Sequence, residues 1–91
     1  MEQQIKELLA SDSNWQHIDN QLVGVWEVAD FQTLRGLVAA ISDLAEELNH
    51  HPTVTYGYNT LKIETTTHDA GNVVTEKDLF LAHRINELLE K

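Results

Sequence analysis

DFQTLRGLVAAISDLAEELNHHP, residues 30–52, predicts one long amphipathic helix with both of its ends marked. Asp30 can cap the first turn, because its carboxylate accepts hydrogen bonds from unpaired backbone N–H groups. Asn49 and Pro52 end the helix, since proline disfavours helical geometry in the residue before it. Between these ends, apolar side chains recur at the spacing of one helix face: Phe31, Leu34, Leu37, Val38, Ile41, Leu44, Ala45 and Leu48.

The segment before this helix predicts a β-hairpin. It covers residues 15–28 and turns near Asp19-Asn20. Its second arm alternates in the two-residue period of a strand, which places on one face Leu22, Gly24, Trp26 and Val28.

A second hairpin is predicted after the helix. Residues 53–58 form its first arm, residues 57–59 allow a turn, and residues 61–67 form its second arm. Alternation in the first arm predicts one shared face for three side chains: Val54, Tyr56 and Tyr58.

Shorter helices are predicted at the two ends of the chain. Residues 2–10 form the first, and the polar stretch 11–14 ends it. Thr75 with Asp78 resembles a capping box that begins the last helix. The predicted order is α-β-β-α-β-β-α. We therefore expect an α+β fold in which residues 1–91 form a single domain, with a four-stranded antiparallel sheet and three helices packed on one face.

Composition narrows the classes of function. The chain has no cysteine, which excludes disulfides and thiolate chemistry. Fifteen acidic residues against six basic ones give a formal charge of −9, which disfavours direct binding of nucleic acid or of an anionic membrane. No stretch has the length and apolar character of a membrane span, and the N-terminus lacks the apolar run of a signal peptide. We expect a cytoplasmic protein.

His50 and His51 stand between the central helix and the third strand, and they allow three interpretations. A histidine at a helix C-terminus complements the helix dipole, which is a purely structural role. Glu46 lies four residues before His50, so that both could join His51 in a metal site. The spacing matches no known zinc motif, however, and we expect no metal.

Proton transfer is the third interpretation, and it depends on His68. This residue is expected at the end of the fourth strand, which in a hairpin lies near the start of the third strand and therefore near His50 and His51. Because a free imidazole has a pKa near ~6.5, such a cluster can both accept and donate protons near neutrality. His17 and His83 lie elsewhere and are interpreted as surface residues.

The pattern Glu46-x-x-x-His50-His51-Pro52, followed by Tyr58, His68 and Asp78, resembles the signature of the pterin-4a-carbinolamine dehydratases. The resemblance covers roughly residue 15 to the end of the chain. It extends to Trp15 before the first strand and to four short stretches, which are Ala29-Asp30-Phe31, Ala45-Glu46, residues 67–71 and residues 75–78.

Two stretches depart from the pattern of that family. Trp26-Glu27-Val28 stands where a phenylalanine-rich second strand is usual. The loop after His68 is one residue longer, with Asn72-Val73-Val74 where a second glycine and a leucine are usual. Because this loop borders the expected cavity, the difference bears on substrate fit and on the placement of Asp78.

The resemblance implies an enzyme that removes water from 4a-hydroxytetrahydrobiopterin, or from a related 4a-hydroxytetrahydropterin, to give the quinonoid dihydropterin for recycling. It implies that His50, His51 and His68 are catalytic, with His50 and His68 as the acid/base pair. His51 and Tyr58 would bind the pterin, while Glu46 and Asp78 would orient imidazoles.

The resemblance also implies no cofactor, since the pterin is the substrate, and a homodimer or homotetramer. Besides the metal-binding interpretation given above, two alternatives stay open at this point. One is a non-catalytic module that binds pterin or protein, like the relatives that act as transcriptional cofactors. The other is action on a molybdopterin-related pterin.

Overall fold

In the computed structural model, which describes residues 1–90, the helices and strands follow the predicted order. They are α1 (Glu2–Ser11), β1 (Trp15–Ile18), β2 (Gln21–Glu27), α2 (Phe31–Leu48), β3 (Thr53–Gly57), β4 (Thr60–Thr65), a one-turn 3₁₀ helix η1 (His68–Ala70) and α3 (Glu76–Leu89). The predicted α+β architecture is confirmed. Only η1 was not expected, and it places His68 just beyond β4 rather than at its end.

The four strands form one antiparallel sheet in the order β1-β2-β4-β3. The two hairpins are joined at the centre of the sheet, where β2 pairs with β4 in a register that sets Leu22 opposite Thr65 and Gly24 opposite Ile63. β1 and β3 are the edges. This order places the end of β4 between β2 and the beginning of β3.

Left-handed backbone conformations make the sharp reversals of the chain. Asp19 and Asn20 have φ values of 49° and 63°, as the favoured two-residue hairpin turn requires. Asn49 at φ 52° ends α2, and its backbone N–H donates to carbonyl oxygens of the last helical turn. Asparagine adopts this conformation more readily than most residues, so the sequence favours each of these turns locally.

The core lies between one face of the sheet and the helices. Its fully buried members include Leu8 of α1, Leu34 and Ile41 of α2, Leu61 and Ile63 of β4, and Leu81 and Ile85 of α3.

Two tryptophans cover Gly24 at the β1 end of this core. Trp15 is 2% exposed, and its indole N–H donates to Asn86 Oδ1 at 2.8 Å. The rings of Trp15 and Trp26 meet edge to face at 5.1 Å between centroids. A Cβ atom at Gly24 would lie 2.2 Å from Trp26 Cη2, so only glycine fits beneath the two rings.

The predicted face of β3 is correct for Val54, which packs against the core, but wrong for Tyr58. Tyr58 is 83% exposed, because β3 ends at Gly57 and Tyr58 occupies the hairpin turn at φ 57°, outside the alternation of the strand. Tyr56 and Phe31 are about half exposed, with ring centroids 6.5 Å apart at the margin of the sheet.

Among residues 1–90, no helix combines the length and apolar character that crossing a membrane would require.

Candidate active site

The histidines meet at the end of the sheet where β4 finishes and β3 begins. The left-handed Asn49 reverses the chain after α2, and the backbone N–H of His50 donates to Ala45 O at 3.1 Å. His50 and His51 are thereby turned back towards the sheet. His68 reaches the same end from β4 through η1.

The three histidines line one cavity of about 240 Å³. Its other lining residues come from the same two stretches of chain and from the start of α3: Asn49, Thr66, Thr67, Asp69 and Lys77. A shallower cavity of about 480 Å³ shares Thr67, Asp69 and Lys77 with it and continues towards the start of α3. The predicted convergence of His50, His51 and His68 is therefore present in the structure.

The buried carboxylate of Asp78 is hydrogen-bonded to His50. Its side chain is fully buried, and the Nε2–H of His50 donates to Oδ1 at 2.6 Å. Thr65 donates its hydroxyl hydrogen to the same oxygen at 2.6 Å. Thr67 donates its hydroxyl hydrogen to Oδ2 at 2.7 Å, and the backbone N–H of Thr75 donates to Oδ2 at 2.9 Å. Four donors from three segments thus fix this carboxylate.

The contact with Thr75 belongs to the capping box that the sequence predicts. The Thr75 side chain accepts backbone N–H groups of the first turn of α3, and Asp78 accepts the N–H of Thr75 in return. Asp78 therefore has two roles, since it caps the start of α3 and also positions His50. Although the loop after His68 is one residue longer than in the pattern described above, Asp78 keeps all four of these hydrogen bonds.

The pKa of Asp78 lies below its ordinary value as the net result of two opposed causes. Burial raises the pKa, because it penalises the charged carboxylate, but the hydrogen bonds from His50, Thr65, Thr75 and Thr67 lower it by more. Asp78 is therefore an anion at neutral pH. The contact with His50 becomes an ion pair whenever that imidazole gains a second proton.

The other two histidines are also held through one ring nitrogen. His51 Nε2 lies 2.9 Å from Glu46 Oε1, in a contact where both side chains are more than half exposed. His68 Nδ1 lies 2.6 Å from Asn72 Oδ1. Since each imidazole has two nitrogens, this leaves Nδ1 of His50, Nδ1 of His51 and Nε2 of His68 available to a molecule in the cavity.

Three residues of this arrangement were not identified from the sequence: Thr65, Thr67 and Asn72. A signal existed for the two threonines, which continue the buried face of β4 after Leu61 and Ile63. A hydroxyl at a buried strand position needs a hydrogen-bond partner. Asn72 gave no comparable signal, because its contact depends on the conformation of the loop.

Glu46 and Asp78 do not line the cavity but each contacts one of its histidines, whereas Tyr58 does neither. It lies at the β3–β4 turn, at the opposite end of the hairpin from the histidines. His17 and His83 are exposed outside the cavity. Within residues 1–90, no three histidine, cysteine, aspartate or glutamate side chains are grouped so that they could hold a metal ion.

Curated relatives cover almost the whole chain. A protein of Chloroflexus aurantiacus, named provisionally as a pterin-4-alpha-carbinolamine dehydratase, is 38% identical over 97% of this chain and 94% of its own length. A protein of Streptomyces coelicolor with the same provisional name is 34% identical over 94% of this chain and 85% of its own length.

Solved structures show the same fold. A transcriptional coactivator/pterin dehydratase from Brucella melitensis superposes with a TM-score of 0.84 at 31% identity, covering 96% of this chain and 94% of that one. A pterin dehydratase-like protein identified as a RuBisCO assembly factor of the α-carboxysome has a TM-score of 0.68 at 20% identity, over 81% and 84% of the two chains, and shares the fold. Residues 1–88 match the family described as pterin 4 alpha carbinolamine dehydratase, and the chain belongs to that family.

Proposed function

We propose that this protein dehydrates a 4a-hydroxytetrahydropterin, such as 4a-hydroxytetrahydrobiopterin, to the quinonoid dihydropterin. The observation that carries the proposal is the convergence of three imidazoles on one cavity, each with one ring nitrogen held and one free. Membership of the family supports the choice of a pterin as the substrate.

The reaction needs two proton transfers and nothing else to balance. The proton on N5 leaves, the N5 electron pair forms a C4a=N5 double bond, the C4a–O bond breaks, and the departing hydroxyl gains a proton to become water. One imidazole in its neutral form can take the first proton, and one in its protonated form can supply the second. Each such transfer typically contributes ~100- to 10,000-fold to a rate.

In this proposal His50 and His68 are the acid/base pair on either side of C4a. The buried Asp78 anion stabilises a positive charge on His50 while that ring carries two protons. His51 binds the pterin and can share in proton transfer, and Glu46 orients its ring. Tyr58 stays a predicted pterin ligand. It lies at the far end of the β3–β4 hairpin, so it could not contact a pterin bound in the cavity of its own chain.

We also propose that the protein is a homodimer or homotetramer. The edge strand β3 leaves backbone N–H and C=O groups unpaired along one side within the described chain. The half-exposed Phe31–Tyr56 pair lies beside that edge. Light scattering after size-exclusion chromatography tests this, and a monomer at micromolar concentration would contradict it.

Turnover of chemically generated carbinolamine, followed by the absorbance of the product, tests the proposed activity. Wild-type protein is expected to accelerate dehydration above the spontaneous rate. His50→Ala and His68→Ala are each expected to lower kcat by ~100- to 10,000-fold. The matched control is His83→Ala, which removes an exposed imidazole outside the cavity and should leave kcat unchanged.

Two results would contradict the proposal in different ways. Folded wild-type protein that binds a pterin without accelerating dehydration would indicate a non-catalytic binding module. Full activity in both cavity variants would remove the assigned roles. Running the same assay with a molybdopterin-related carbinolamine distinguishes the pterin classes.

A further inference from the structure

His68 has a different kind of partner from the other two histidines of the cavity. Its Nδ1 lies 2.6 Å from the side-chain oxygen of Asn72, which is a neutral amide. His50 and His51 face the carboxylates of Asp78 and Glu46. The three imidazoles are therefore not equivalent, and the difference lies in one loop residue.

The backbone alone fixes the position of Asn72. Its φ is 59°, in the left-handed region, and its N–H donates to Thr67 O at 3.1 Å. Immediately afterwards Val73 pairs with Thr67 in an isolated antiparallel bridge, with the Thr67 N–H donating to Val73 O at 3.0 Å. The loop therefore returns to the end of β4 and brings the Asn72 side chain to His68.

The chemistry of the contact determines the tautomer of His68. With the amide oxygen placed against Nδ1, as the structure has it, the oxygen can only accept and His68 Nδ1 carries the hydrogen. A neutral imidazole has one N–H, and Nε2 is then left with an unshared electron pair. Free neutral histidine favours the opposite tautomer, with the hydrogen on Nε2, which could not accept a proton at that atom.

We propose that Asn72 is a positioning residue that holds neutral His68 as the Nδ1–H tautomer and so makes Nε2 the ring atom that meets the pterin. The expected effect on turnover rests on the proposed dehydration, whereas the tautomer of His68 does not depend on it. Asn72 acts through His68 and need not touch the substrate.

The tautomer can be measured without any turnover. Long-range proton–nitrogen NMR of ¹⁵N-histidine-labelled protein, at a pH where the imidazole is neutral, distinguishes a protonated Nδ1 from a protonated Nε2. Comparison with His68→Gln assigns the signals. Wild-type His68 is expected to be Nδ1–H, and a wild-type His68 protonated on Nε2 would overturn the proposal by itself.

Asn72→Gly removes the amide while keeping a residue that accepts positive φ without strain. We expect mixed tautomers of His68 and a kcat reduced about two- to tenfold, the population change that one lost hydrogen bond produces. Asn72→Asp keeps an acceptor oxygen and should restore the Nδ1–H tautomer. The matched control is Asn20→Gly, the same change at φ 63° in the β1–β2 turn, which should alter neither quantity.

The outcomes separate this proposal from the proposed activity. An Nδ1–H tautomer that persists in Asn72→Gly, or a kcat that is unchanged although the tautomer shifts, would overturn the positioning role. A tautomer that shifts as expected in a protein without dehydratase activity would instead leave the geometric inference standing and reject the proposed function.

Discussion

Replacing Asp78 by asparagine tests the support of the candidate active site most directly. The side chain keeps its size and stays at the start of α3, but it loses its charge and one of its two acceptor oxygens. All four partners of Asp78 donate to it in the native protein: His50, Thr65, Thr67 and the backbone of Thr75. An amide cannot accept from all four.

The orientation of the new amide follows from which donors can adapt. The backbone N–H of Thr75 can only donate, so the amide oxygen must remain on that side, where it also accepts from Thr67. The amide NH₂ group then faces His50 and Thr65, and both must become acceptors. His50 can do so only by moving its hydrogen to Nδ1, which changes the ring atom left for the substrate.

The loss of stability in Asp78→Asn depends on the hydrogen bonds that the carboxylate accepts. A hydrogen bond to a charged group contributes ~1 kcal/mol more than one between neutral groups, and four bonds are affected. Easier burial of a neutral side chain offsets part of this loss. We expect Asp78→Asn to reduce the free energy of unfolding at neutral pH by about 3 kcal/mol, and Tm by more than ~10 °C. Because a domain of this size has ~5 to 13 kcal/mol of stability, the variant should still fold.

The destabilisation should depend on pH with a defined sign. The pKa of Asp78 is lowered in the folded protein, so its contribution is fully present above the ordinary carboxyl pKa of ~3.9 and is lost as pH falls through the lower folded value. The difference between wild type and Asp78→Asn should therefore narrow as the pH falls from about 5 to about 2. Urea titrations across that range measure it.

Asp43→Asn, at an exposed position of α2, is the control and should change stability by less than ~0.5 kcal/mol. If the proposed reaction is correct, kcat of Asp78→Asn should also fall by ~100- to 10,000-fold, because His50 presents the wrong tautomer. A stability difference below ~1 kcal/mol, or one that stays constant with pH, would refute the reasoning from the four donors.

Other substitutions test the exposed Glu46–His51 pair and the packing around two glycines. Glu46→Gln should change the free energy of unfolding by less than ~1 kcal/mol, since the pair with His51 is exposed; a larger loss in urea unfolding would contradict this. Gly24→Ala should destabilise by about 1–3 kcal/mol and alter near-ultraviolet circular dichroism, because its Cβ would overlap Trp26. Gly36→Ala has no atom within 4 Å of the new Cβ and should stabilise α2 by ~0.5–1 kcal/mol. Equal effects of the two alanines would argue against the close packing at Gly24.

Much of the candidate site followed from local patterns. Asn49 and Pro52 predicted where α2 ends, and hairpin geometry predicted that His68 would lie near His50 and His51. The pairing of Thr75 with Asp78 was visible because a capping box is a contact between residues three positions apart. Such features involve neighbours in sequence, and the sequence of a short segment is enough to specify them.

Tyr58 shows where local patterns fail. In the sequence, the alternation of large side chains continues through Val54, Tyr56 and Tyr58. The strand ends at Gly57, however, so Tyr58 belongs to the turn. Where a strand ends depends on which backbone groups its neighbour can pair with, and the alternation of side chains does not record that.

By itself, the sequence determined the number and order of the α-helices and strands, though not η1, and the three imidazoles that would meet. Only the tertiary structure decided that β2 pairs with β4, which buries Thr65 and Thr67 beside Asp78, and that the loop after η1 carries Asn72 to His68. The reason is physical. Turns, caps and amphipathic faces are set by residues a few positions apart, whereas the partners of a buried polar group are set by the packing of the whole chain.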